Sequence, residues 1–135
     1  MATRTLRFSV LPGRFAVCRL ERDAPVPPWA TGDALVSLTR TGEELSIVCA
    51  EDNVPACPDI VGADPRCARG FRCLKLLGPF ALNETGVLLS FIAPLAEKGI
   101  PIFAVSTYDT DYVLVPAVRL DAALDALRAA GHHLV

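Results

Sequence analysis

Apolar positions along this chain fall in short runs closed by turn residues, the pattern of strands, with two stretches of helical period in the second half. Arg14 to Leu20 is apolar, and Pro12-Gly13 ahead of it is a turn signal, so a first strand is expected there. Asp23-Ala24-Pro25-Val26-Pro27-Pro28-Trp29 holds too many prolines for a long helix, because each removes a backbone donor and clashes with the preceding turn. One helical turn after Pro28 is the most that this segment accommodates. Ala34 to Arg40 and Leu45 to Ala50 flank the polar corner Thr41-Gly42-Glu43-Glu44, which predicts a hairpin. Glu51 to Arg69, with prolines, glycines and scattered charge but no period, reads as a loop.

Phe71 to Leu77 predicts another strand, ended by Gly78-Pro79. Asn83 or Thr85 can then cap a helix whose apolar positions include Leu88, Phe91, Ile92 and Leu95, which Gly99 closes and Pro94 bends or shortens. Ile100 to Val105 and Asp111 to Val115 predict a second hairpin around Ser106-Thr107-Tyr108-Asp109-Thr110. Leu120, Leu124 and Leu127, with Asp121, Asp125 and Arg128 between them, predict an amphipathic helix ending at Gly131, before a short strand over His132 to Val135. Laid over each other without a gap at an offset of 67 residues, the hairpins match Thr39 with Ser106 and Glu44 with Asp111. The chain therefore reads as duplicated, each copy in βαββαβ order, the first with degenerate helices. The expected fold is α+β, two ferredoxin-like units with antiparallel sheets, over residues 1–66 and 67–135.

Composition narrows the function. With 135 residues and 52% hydrophobic content the chain can bury a real core, which excludes disorder. A net charge of −2 leaves no basic stripe for counterion release, so no nucleic-acid partner is expected. The longest apolar stretch, Val87 to Ala96, is broken by Ser90 and Pro94 and has roughly half of the ~20 residues that cross a bilayer, so no membrane partner is expected either. Phe15-Ala16-Val17-Cys18 is superficially like the end of a lipoprotein signal, but Pro12-Gly13-Arg14 interrupts it; no targeting segment is expected and the location is cytoplasmic.

The five cysteines form no C-x-x-C pair, which favours reduced thiols over a disulfide framework or zinc ribbon. Cys57, Cys67 and Cys73 do surround a polar loop, and a metal-dependent or thiol enzyme completed by His132 or His133 stays open, though the spacing does not support it. Asp109-Thr110-Asp111 is the D-x-D pattern of nucleotide-sugar transferases, but the chain lacks the length and βα alternation those enzymes need. No phosphate loop is present, and no serine or cysteine has an evident base, so neither nucleotide hydrolysis nor a triad is supported. The expectation is no enzyme, no cofactor and no metal.

The segment Gly99 to Val115, with Leu11-Pro12-Gly13-Arg14-Phe15-Ala16-Val17-Cys18 and Pro27-Pro28-Trp29-Ala30, resembles the small bacterial ACT-domain proteins related to the CASTOR arginine sensors. The resemblance spans nearly the whole chain, and Ser106 to Tyr112 is its most specific part. It implies two tandem ACT units forming a regulatory module that binds a small molecule, often an amino acid, where ACT units meet. Those sensors carry two such pairs; this chain carries one. Transferred residue by residue, the resemblance assigns ligand binding to Gly78, Pro79, Phe80, Ala81 and Leu82, to Thr85 and Gly86 at the helix start, and to Thr107, Tyr108, Thr110 and Asp111 of the hairpin. Free amides at a helix start attract a carboxylate, and the Asp111 carboxylate suits an ammonium or guanidinium group. Judged on the residues alone, Asp109 and Asp111 equally well hydrogen-bond their own turn. The resemblance further implies a homodimer through sheet edges, while a protein partner is not identifiable from the sequence. The alternative is a structural or protein-interaction ACT-like module without a ligand, its seam filled by Phe80 and Leu82.

Overall fold

Among residues 4–56 and 66–135, which the computed structural model describes, the strands are β1 (Arg7–Val10), β2 (Phe15–Leu20), β3 (Ser37–Arg40), β4 (Leu45–Ala50), β5 (Arg66–Leu76), β6 (Phe103–Ser106), β7 (Asp111–Pro116) and β8 (His133–Leu134). Helix α1 (Val87–Glu97) lies between β5 and β6, and α2 (Leu120–Ala129) between β7 and β8. The chain forms two units, Pro12–Phe71 and Met1–Leu11 with Arg72–Val135. Residues 4–11 group with the C-terminal part, and β5 gives its residues through Phe71 to one unit and the rest to the other.

In the unit Pro12–Phe71 the strand order is β3-β4-β2-β5, antiparallel throughout. Alternation puts Ala16, Cys18 and Leu20 of β2 and Leu45, Ile47 and Cys49 of β4 on one buried face, covered by Ala24, Ala30, Trp29 and Val54 from the connections. The proline-rich connection and the segment after β4 hold no α-helix among the described residues, only a 3-10 turn at Glu51–Asn53. Strand β5 begins at Arg66, inside the segment expected to be a loop, because Cys67 and Ala68 join the ladder opposite Cys18 and Val17.

The other unit has the order β8-β1-β5-β7-β6 with α1 and α2, the βαββαβ path with one added strand. That strand is β1, antiparallel to β5 and parallel to β8. Val87, Ser90, Phe91 and Leu95 of α1 and Ala123, Ala126 and Leu127 of α2 recur at helical spacing and are buried with Phe8, Leu74, Leu76, Val113 and Val115. Phe8 meets Phe91 edge to face at 5.2 Å. Gly99 (φ +68°) and Gly131 (φ +95°) end the two helices in the left-handed region, where a side chain is disfavoured.

Pro94 remains inside α1 and withholds the N–H that the Ser90 carbonyl would accept four residues back. His132 replaces it: Nε2 lies 2.8 Å from that carbonyl, while Nδ1 accepts the Leu6 N–H at 3.0 Å. An acceptor at Nδ1 and a carbonyl at Nε2 assign the neutral Nε2–H tautomer. His133 next to it is exposed.

The hairpins match at an offset of 66, not 67. Pairing of Arg40 with Leu45 and of Ser106 with Asp111 occupies the same place in the two ladders. Both turns are closed alike, Thr41 N–H donating to the Glu44 carbonyl and Thr107 N–H to the Thr110 carbonyl. Backbone geometry thus aligns Asp111 with Leu45, a core residue 1% exposed, rather than with Glu44.

Candidate functional site

The loop after β5 and the tip of the β6–β7 hairpin are tied together by backbone. Phe80 N–H donates to the Asp109 carbonyl at 2.8 Å, and the buried Thr110 hydroxyl donates to the Leu76 carbonyl at 2.7 Å. Gly78 lies so close that a Cβ there would meet the Asp109 carbonyl oxygen at 2.8 Å. The Gly78–Pro79 peptide bond is cis. Within the turn, Thr110 N–H donates to Thr107 Oγ1 at 3.3 Å. Farther along the loop, Glu84 accepts the Ala81 N–H at 2.7 Å and pairs with Arg4, whose guanidinium stands 5.6 Å from the centre of the Phe80 ring.

Helix α1 starts without a side-chain cap. Its N-cap is Gly86 at φ +77°, and neither Asn83 nor Thr85 fills the capping role expected of one of them. The amides of the first turn, Val87 to Leu89, therefore keep no side-chain acceptor. That turn lines a cavity of about 330 Å³ with Phe80, Ala81, Leu82, Glu84 and Gly86 on one side and Ser106 to Asp111 on the other. Asp111 accepts from Ser106 Oγ at 2.5 Å through one carboxylate oxygen. The site thus brings together free amides, three carboxylates (Glu84, which is paired with Arg4, and Asp109 and Asp111) and an apolar floor of Phe80, Val87 and Leu88.

Of the residues assigned from the resemblance, Phe80, Ala81, Leu82, Gly86, Thr107, Tyr108, Thr110 and Asp111 line this cavity. Gly78 and Pro79 line a neighbouring one, also about 330 Å³, with Lys75, Leu77, Asp109 and Tyr112. Thr85 lines neither. The sequence reading expected free amides at this helix start but did not assign Glu84, Ser106 or Asp109 to the site, nor name Val87, Leu88 and Leu89 as lining. Leu82 is 71% exposed and does not fill the cavity.

The cysteine reading takes a different shape. Cys57 lies outside the described residues, Cys73 is fully buried with its thiol pushed up to about 12 by that burial, and no group of three or more His, Cys, Asp or Glu among the described residues could hold a metal ion. No described helix is long and apolar enough to cross a membrane.

The ACT domain family model matches residues 66–129, and a model described as an N-terminal domain matches residues 13–57. Among solved structures, the chain is similar to the protein Atu0741 of Agobacterium tumefaciens, with 42% identity and a TM-score of 0.86 over 98% of this chain and 94% of that one. It is also similar to a Vibrio cholerae protein described as of unknown function and a possible transport protein (20% identity, TM-score 0.69, 93% and 90% covered). A third similar structure is the ligand-free regulatory subunit of aspartate kinase from Thermus thermophilus (12% identity, TM-score 0.62, 96% and 99% covered). At these last two identities the likeness concerns the fold alone. No curated protein matches the chain. The α+β path of strands and helices and the family match agree: residues 66–129 form an ACT domain, and the chain belongs to the family of the Agobacterium tumefaciens protein.

Proposed function

We propose that the chain is a non-catalytic, cytoplasmic regulatory module of two tandem ACT-like units that binds an amino acid in the cavity between α1 and the β6–β7 turn. The observation that carries this reading is the convergence of the uncapped first turn of α1 with Asp109 and Asp111 on one cavity of about 330 Å³. The free amides suit an α-carboxylate and the aspartates suit an ammonium or guanidinium group, so opposite charges of one zwitterion meet opposite sides of the cavity. The hairpin alignment supports it, since Asp111 stands where the first hairpin has a core leucine and puts a half-buried carboxylate at a position where packing alone would favour an apolar residue.

A second copy of the chain completes the site in this reading. Strand β6 pairs only with β7 among the described residues, and Leu82, Leu89, Phe103 and Tyr108 are exposed apolar or aromatic side chains nearby or on its edge. An open edge with apolar side chains favours association.

Thermal-shift titration with the twenty amino acids, arginine first, tests the reading. At about 100 times its dissociation constant, a ligand adds roughly 2.7 kcal/mol of stability and raises the melting temperature by several degrees. Asp111→Asn keeps a partner for Ser106 but loses the charge, and is expected to weaken the active amino acid roughly ten- to a hundredfold, since a hydrogen bond to a charged group is worth ~1.5–3 kcal/mol. No shift with any amino acid overturns the ligand assignment. Sedimentation at micromolar concentration is expected to show a dimer; a monomer with and without the ligand overturns the shared site.

A further inference from the structure

Among the described residues of the unit Pro12–Phe71, three cysteines lie in or against one apolar cluster: Cys18 on β2, Cys49 on β4 and Cys67 on β5. Strands β2 and β5 are antiparallel with Cys18 directly opposite Cys67, and the Cys67 thiol donates to Cys18 Sγ at 2.8 Å. Directly opposite residues on antiparallel strands have Cα atoms ~4.5–5.5 Å apart. A disulfide spans ~4.4–6.8 Å, so this pair closes without moving the backbone. Cys49 sits opposite Ala16 and has no such partner.

We propose that Cys18 and Cys67 are an oxidant-responsive dithiol, a modification site at which a peroxide closes a disulfide between β2 and β5. The two sulfurs have different access. Cys18 is 1% exposed, whereas Cys67 is half-buried on a strand that begins only one residue before it. Cys67 is therefore the entry thiol and Cys18 the resolving one. Cys67 gives up its proton and the resulting thiolate attacks one peroxide oxygen; the O–O bond breaks, and the departing hydroxide takes up that proton to leave as water, which makes Cys67 a sulfenic acid. The Cys18 sulfur then attacks the Cys67 sulfur, the S–O bond breaks, and the departing hydroxide takes the Cys18 proton as a second water. Two thiols lose two electrons and one peroxide gains them. Burial, followed by the Cys67 contact, pushes the Cys18 thiol up, so Cys18 enters this step as the neutral thiol, and its place 2.8 Å from the Cys67 sulfur is what favours it as the attacking group. Position selects the partner: Cys18 stands directly opposite Cys67 across the ladder, whereas Cys49 stands opposite Ala16.

The test treats the full-length protein with hydrogen peroxide, then titrates thiols after denaturation and maps the peptides. Loss of two of the five thiols, one cross-linked pair joining Cys18 to Cys67, and full recovery with dithiothreitol are expected. Cys67→Ser is expected to leave the remaining thiols titratable, and Cys18→Ser to leave a Cys67 sulfenic acid that dimedone traps. Cys49→Ser is expected to oxidise as the parent does. Peptide mapping of the unmutated protein decides the matter even if a variant misfolds. A disulfide joining Cys67 to any other thiol, or Cys67 carried to sulfinic acid without a cross-link, overturns the proposal.

Discussion

Replacing His132 by leucine is expected to destabilise the protein by roughly 2–6 kcal/mol, because it strips partners from two buried backbone groups at ~1–3 kcal/mol each. The Leu6 N–H loses its acceptor Nδ1, and the Ser90 carbonyl loses the Nε2–H donor. Leucine fills similar space beside Phe91, whose ring lies 5.5 Å from the imidazole, so the loss is polar rather than a cavity. The Ser90 carbonyl needs this outside donor only because Pro94 has none to give. Adding Pro94→Ala to His132→Leu supplies the missing helical N–H and is expected to recover about 1–2 kcal/mol, more than the same change gains when His132 is present. Urea unfolding of the four proteins measures the cycle. A His132→Leu protein within about 0.5 kcal/mol of its parent, or no extra recovery from Pro94→Ala, contradicts this account.

Gly78→Ala is expected to lower stability by about 1–3 kcal/mol and to abolish the amino-acid response together. Its Cβ would meet the Asp109 carbonyl oxygen at 2.8 Å and the Phe80 nitrogen at 3.0 Å, both backbone atoms that cannot rotate away. Those two atoms are the partners of the 2.8 Å hydrogen bond between loop and hairpin tip, so relief of the clash separates the two walls of the cavity. Serine in place of alanine places a Cβ in the same spot and is expected to behave alike. Thermal shift with and without the active amino acid reads both effects. Unchanged stability of Gly78→Ala shows that the loop yields without strain, and retained ligand response shows that the tie between loop and hairpin does not shape the site.

The elements whose periodicity is complete are legible in the amino-acid sequence. The repeat of Phe91 and Leu95, with Gly99 after it, places α1, and Leu120, Leu124 and Leu127 with Gly131 place α2. The two hairpins follow from alternating runs around polar corners. Much of the candidate site is legible too, through the resemblance carried by Ser106 to Tyr112 and the loop after Leu77. Three features are not. Strand β1 is only four residues long, and Arg7-Phe8-Ser9-Val10 gains its strand identity from β5 and β8 on either side. The start of β5 is polar and arginine-rich, so only the partners on β2 reveal it. The repeat offset depends on which residues face each other across a ladder, and residue similarity misplaces it by one.

The sequence by itself determined the two helices, the two hairpins and the class of fold, because periodicity, turn residues and helix stops act within a few residues of where they are written. Tertiary structure decided what depends on partners distant in the chain. It placed β1 between β5 and β8, set Asp111 where the other hairpin has Leu45, brought the Cys18 and Cys67 sulfurs within 2.8 Å, and gave the carbonyl freed by Pro94 to His132, far along the chain. Strand pairing and buried polar satisfaction join groups across long loops, and no local pattern in the chain records which partner a backbone group will meet.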